Sequence, residues 1–146
     1  MPVNYNGTAD KPYPAIIRVE LREISLNDQT AGEDFEQYDT IYQSADALWY
    51  RTDAFNTNRV PRRGVGLSQD NPAGSGELFD VWIRGLISNN SWNFVSGAPV
   101  YVGSGVGTAP IMSAPTASGV WQYLIGKAIT SSLLDFDPSD PIQIAQ

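Results

Sequence analysis

Apolar and polar positions alternate most clearly in the back half of the chain, from Leu78 to Pro138. There LFDVWIRGLI, APVYVGSGVGT and WQYLIGKAIT each run for about one strand length and meet glycine before a helix can form. In Leu78–Ile87 a period of two puts Phe79, Val81 and Ile83 on one side and Leu78, Trp82 and Leu86, less regularly, on the other. That arrangement predicts a strand buried on part of both faces. Val100–Val102 predicts a short strand running into GSGVGT, and TAPIMSAPTASG reads as loop. Trp121–Ile129 predicts two strand-like pieces around Gly126, where a bulge or bend is expected. In SLLDFDPSDP, Leu134 and Phe136 alternate with aspartates until Pro138 ends the ladder.

The front half is less regular. Residues 1–14 carry Asn, Gly and three prolines without an apolar face and read as an extended arm, with Tyr5 and Tyr13 available for docking on a neighbour. Ile16–Leu26 alternates Ile17, Val19 and Leu21 and reads as a strand with a break near Glu23. Ile17, Leu21 and Ile24 also fit a helical face. NDQTAG predicts a turn, and the segment around Tyr42–Tyr50 fits either a short helix or a strand that feeds Leu48 and Trp49 to the core. Asn56–Gly76 reads mostly as turns around the apolar piece VGL, with little structure of its own. The pattern as a whole predicts an all-β protein, a small antiparallel β-sandwich or barrel: an arm at 1–14, one domain at 15–140, and a short C-terminal tail at 141–146 that leans on another surface.

Composition narrows the chemistry. A chain of 146 residues fits one domain able to bury roughly two thirds of its unfolded surface without staples. It has no Cys, which removes disulfides, thiolate nucleophiles and most structural zinc sites, and no His. No apolar run approaches the ~20 residues that span a bilayer, and MPVNYNGTADKPYP lacks the basic region and apolar core of a signal peptide. The expectation is a soluble protein with no membrane partner, made in the cytoplasm. With nine basic and sixteen acidic residues the chain repels phosphate backbones, so no nucleic-acid partner is expected. Arg59, Arg62 and Arg63, in NRVPRRG, form the single basic cluster, and Pro61 within it blocks an ordinary basic recognition helix. Surface ion pairs are the preferred reading of that cluster, with contact to an acidic partner as the alternative.

GSGVGT lacks the third glycine of a dinucleotide fingerprint and the Lys-Ser/Thr of a phosphate loop, so a hairpin turn is the better reading. Glu33, Asp34, Glu36 and Asp39 cluster, as do Asp135, Asp137 and Asp140, yet neither group has the spacing of a calcium loop or fixes a facing glycosidase pair. Serine hydrolysis would lack its His, and Lys11 and Lys127 sit in no Ser-Lys context. No catalytic, cofactor or metal residue is therefore expected, and an enzyme ranks third among the functions weighed. Of Trp49, Trp82, Trp92 and Trp121, Trp92 lies among polar residues in SNNSWNF and is expected to be the exposed one, available to a partner.

The order of parts in the last eighty or so residues resembles small structural proteins of tailed-bacteriophage virions, including capsid decoration or cement proteins. Gly97, Pro99 and Tyr101 match a G-x-P-V-Y-V strand. Pro115 and Gly119 match a P-x-x-x-G loop, Ile125, Gly126 and Ala128 a V/I-G-x-A strand, and Phe136 and Pro138 an F-x-P-S edge. The resemblance implies an all-β domain, often a homotrimer, on the outer capsid surface of the virion with the major capsid protein as partner. The arm and tail would then reach outward, and Arg59, Arg62 and Arg63 would meet acidic patches of the shell. Similar modules on phage tails make a receptor-binding or fibre-tip role, with a surface glycan as ligand, the rival.

Overall fold

A computed structural model describes residues 23–54, 56–59, 65–103, 110–112, 121–139 and 142–143. The arm at 1–14 with Tyr5 and Tyr13, most of the Ile16–Leu26 segment, Arg62, Arg63 and the loop glycines after Gly103 lie outside the described residues. The strands are β1 (Ile24–Thr30), β2 (Thr40–Gln43), β3 (Trp49–Arg51), β4 (Gly66–Ser68) and β5 (Leu78–Ser88). They continue with β6 (Pro99–Tyr101), β7 (Trp121–Gln122), β8 (Leu124–Thr130), β9 (Leu133–Phe136) and β10 (Ile142–Gln143). A 3₁₀ turn at Thr57–Arg59 is the only helical element among the described residues. The protein is all-β, as its alternation predicts, with an antiparallel sheet curled into a half-barrel. No helix among the described residues is long and apolar enough to cross a membrane.

The main sheet runs β3-β2-β4-β5-β9-β8-β6, with β1 added on β5, while β10 pairs separately with β7. β5 organises the molecule because its 11 residues serve two ladders in turn. Leu78–Arg84 pairs with β1, and within that stretch Val81 and Trp82 also pair with β4. From Gly85 to Ser88 the strand pairs with β9 instead. Gly85 stands at this switch with φ 119°, a conformation that L side chains rarely adopt.

Period-two alternation along β5 feeds two cores. Phe79 and Val81 join Ala31, Phe35, Ile41 and Trp49 in the smaller one, with Ile83 against it. Trp82 faces the other way, onto the larger core that includes Leu67, Ile87, Trp92, Ile125, Leu134 and Phe136. A parallel bridge between Ala31 and Trp49, with the Gly32 amide donating to the Trp49 carbonyl at 2.8 Å, draws the end of β1 onto β3 and curls the sheet round the smaller core.

Several expectations for the front half need correction. NDQTAG is not a turn, because Asn27–Thr30 belongs to β1. Leu26 pairs with Val81 and Gln29 with Phe79, so Asn27 and Asp28 together oppose the single residue Asp80. Turn-like residues here form a bulge. Asp28 takes φ 55°, and its amide is held by Asp80 Oδ1 at 3.0 Å. The Tyr42–Tyr50 ambiguity resolves as a hairpin of β2 and β3, closed by the Ser44 amide on the Leu48 carbonyl. VGL, read as a piece among turns, supplies β4, a fully buried strand between β2 and β5. Gly66 permits that close packing, since a Cβ there would meet Val81 Cγ2.

In the back half, Leu134 and Phe136 of β9 stand where alternation puts them, both side chains fully buried. Val100 pairs with Gly126 and Tyr101 with Leu124, leaving Ile125 as the extra residue of a bulge beside Gly126, as expected. The break between the two strand pieces falls at Tyr123, earlier than expected. Ile142 and Gln143, in the tail expected to reach another surface, pair with Gln122 and Trp121 of the same chain.

Candidate functional site

The one expected contact arginine within the described residues is committed to its own chain. The 3₁₀ turn carries Arg59 back over β3, with the Asn58 amide on Asn56 Oδ1 and the Arg59 amide on the Asn56 carbonyl. From there Arg59 Nη1 donates to Glu33 Oε2 at 2.8 Å and to the Arg51 carbonyl at 3.1 Å, and Nη2 reaches Glu33 Oε1 at 3.3 Å. Glu33 Oε2 also accepts the Arg51 amide at 2.7 Å, with Arg51 Nε 3.8 Å away. Burial by itself would raise the Glu33 carboxyl. The bond from Arg59, the Arg51 amide and the two positive charges outweigh it and hold the group below its ordinary value of 4.5. Arg59 is held correspondingly above its ordinary range, first by the Glu33 bond. Of the two readings of the cluster, an internal ion pair describes Arg59.

This network makes a testable contribution to stability. A carboxylate with a depressed folded-state pKa stabilises fully above its unfolded value, and the contribution fades as pH falls through the folded value. Glu33→Gln is therefore expected to cost about 1–3 kcal/mol at neutral pH, since it strips a half-buried arginine of its bidentate partner. The difference from wild type should shrink on acidification below pH 4.5. Denaturant melts at neutral and acid pH check it; a pH-independent difference would contradict the ion pair.

Trp92 is the clearest correction. It is only 9% exposed, not the exposed tryptophan expected from its polar neighbours. The Asn89 and Phe94 amides bind the Ser132 and Ser131 carbonyls, so the loop lies flat over the β8–β9 turn and its rings turn inward. Trp92 packs on Phe94 at 5.0 Å and edge-on against Tyr38 at 5.2 Å, while Tyr38 stacks on Trp82 at 5.3 Å. Tyr38 holds φ 71°, costly for an aromatic residue, and its hydroxyl donates to the Ser88 carbonyl at 2.9 Å. Ser88 ends β5 and Asn89 follows it directly, so polar flanks mark a bend over the core and not a solvent-facing ring.

Within the acidic clusters Glu33, Asp39 and Asp137 have separate structural tasks. Asp39, buried, accepts the Glu36 amide at 2.9 Å, and desolvation pushes its carboxyl up. Asp46 accepts the Tyr50 hydroxyl at 2.6 Å, and Asp137 lies 3.3 Å from Arg84 on the surface. Among the described residues no three His, Cys, Asp or Glu side chains converge as a metal site would require.

Among the described residues, exposed apolar side chains offer a surface for contact. Ile24, Leu26, Leu78, Val95, Leu124 and Ile129 are large apolar side chains at 38–64% exposure. The loop that carries Val95 is tied to β8 at Ile129, where the Ser96 hydroxyl donates to the Ile129 carbonyl at 2.8 Å. Ile24 and Leu26 lie on β1, which has β5 on one side and no strand along Ile24–Gln29 on the other among the described residues. Sequence reasoning missed this edge because it gave Asn27–Thr30 to a turn. No family model, no curated protein and no solved structure matches the chain.

Proposed function

We propose that this chain is a capsid decoration or cement protein of a tailed bacteriophage, an oligomer, in the reading a homotrimer, that binds the major capsid protein on the outer head surface and stabilises the shell. The observation that carries the reading is the division of labour among side chains. The described carboxylates with assigned partners hold backbone amides, hydroxyls or arginines of their own chain, and large apolar side chains stand exposed on strands and turns. Such a surface is suited to packing against another protein. The resemblance of the back half points to a phage shell as that other surface, and the described residues that carry it serve the β-framework, from Pro99 and Tyr101 in β6 to Phe136 in β9.

A protein that binds only the assembled lattice stabilises it by mass action, and many identical weak contacts add by avidity. Burial of Trp49 and Trp92 takes two of the four tryptophans away from any sugar-binding groove and favours the shell over the glycan reading. Deleting residues 1–14 is expected to weaken sedimentation of the protein with undecorated heads while leaving its β-type circular dichroism unchanged. Undiminished co-sedimentation of the truncated chain would remove the arm from the account.

A further inference from the structure

The Asn89–Ala98 loop is moored from two sides. On one side the Phe94 amide binds the Ser131 carbonyl, the Gly97 amide the Ala128 carbonyl, and the Ser96 hydroxyl the Ile129 carbonyl, all on β8 and the turn after it. On the other side the Val95 amide donates to Met112 Sδ at 2.9 Å. Met112 follows Ile111, which is fixed against the end of β6 by reciprocal backbone bonds with Tyr101. A thioether thus ties the loop to the Pro110–Met112 segment.

That sulfur combines a weak bond with an open position. A thioether is a poor acceptor, whereas the other loop amides named above bind carbonyls. Met112 is half-buried and packs against the larger core, the one that holds Trp92 and Phe94. Its bond lies at the exposed rim of that core, since the donor residue Val95 is 64% exposed. A polarizable sulfur at such a margin is within reach of small oxidants. The chain has no Cys, so its sulfur atoms are those of Met1 and Met112, and an oxidant meets no competing thiol.

We infer that Met112 is an oxidation site, at which hydrogen peroxide converts the thioether to a sulfoxide and unmoors the Asn89–Ala98 loop. The sulfur gives an electron pair to one peroxide oxygen, the O–O bond breaks, and the other oxygen takes up both protons and leaves as water. The sulfur is oxidised and the peroxide reduced by that same electron pair. A sulfoxide is polar where the thioether was apolar, so the side chain leaves the core margin for solvent. The Val95 amide then loses its acceptor, and the core loses the cover of Met112 on that flank. The inference rests on this loop and its sulfur and does not require that the protein bind a capsid.

Brief exposure of the folded full chain to dilute hydrogen peroxide tests it, read by peptide mass mapping, hydrogen exchange and thermal melting. Met112 is expected to gain one oxygen at a rate within about tenfold of that in the urea-unfolded chain, because susceptibility follows exposure. Exchange within Asn89–Ala98 should then quicken, and the melting midpoint should fall by about 3 °C or more. Met112→Leu, close in volume and unable to take oxygen, should keep its midpoint under peroxide, while Met112→Gln, polar like the sulfoxide, should show the lowered midpoint untreated. A Met112 that resists peroxide in the native chain while reacting in urea overturns the inference. So does complete oxidation that leaves loop exchange and melting unchanged, or a fall that Met112→Leu shows equally, which would place the change outside Met112.

Discussion

Replacing Gly126 with alanine is expected to cost about 3 kcal/mol or more, enough to remove much of the stability of a domain this size. Gly126 lies within β8 and is paired on both sides, with Val100 of β6 and Phe136 of β9. A Cβ built there runs into the carbonyl oxygen of Asp135, and Leu134 Cδ1 closes the remaining space at 3.2 Å. Asp135 pairs with both Leu86 of β5 and Lys127 of β8, so its backbone cannot retreat without opening a ladder. Alanine at Gly74 is the control, because a Cβ there meets nothing within 4 Å. The midpoint of chemical denaturation should fall sharply for the first variant and hardly at all for the second. Equal midpoints would mean that β8 and β9 are not packed as described.

Trp92→Ala is expected to destabilise the fold by about 3–5 kcal/mol, the usual cost of emptying a buried aromatic site. The ring contacts both Tyr38 and Phe94, and Tyr38 in turn stacks on Trp82 of β5, so its loss loosens the seam between the Asn89–Ala98 loop and the sheet. A tryptophan serving only as a surface contact would behave differently. Its removal would leave the melt within about 0.5 kcal/mol of wild type and change binding alone. Calorimetry of the purified variant separates the two roles, and a melt unchanged by the substitution would return Trp92 to the surface.

Legibility of this fold in its sequence follows the reach of the forces that made each part. β5, β6 and β9 were readable because their inward and outward positions are set by a local period of two, seen in Phe79 and Val81 and again in Leu134 and Phe136. The bulge next to Gly126 was readable because glycine within a strand pattern marks such sites. β4 was obscured because Gly66, which looks like a turn residue, is required by the approach of Val81 across the sheet. The second half of β1 was obscured for a similar reason: Asn27 and Asp28 suit a turn and a bulge alike, and only pairing with Asp80 decides between them. Arg59 finds Glu33 across 26 residues of sequence, a separation that no spacing rule covers. The polar neighbours of Trp92 misled because the bend over the β8–β9 turn is fixed by Ser131 and Ser132, about forty residues downstream.

The central claim is that this β-framework works by adhering to a repeating surface, and counting its copies in intact particles tests that most directly. Electron microscopy with quantitative gel densitometry should find the protein repeated over the head in register with the capsid lattice. A few copies confined to the tail, or none in the particle, would contradict the account.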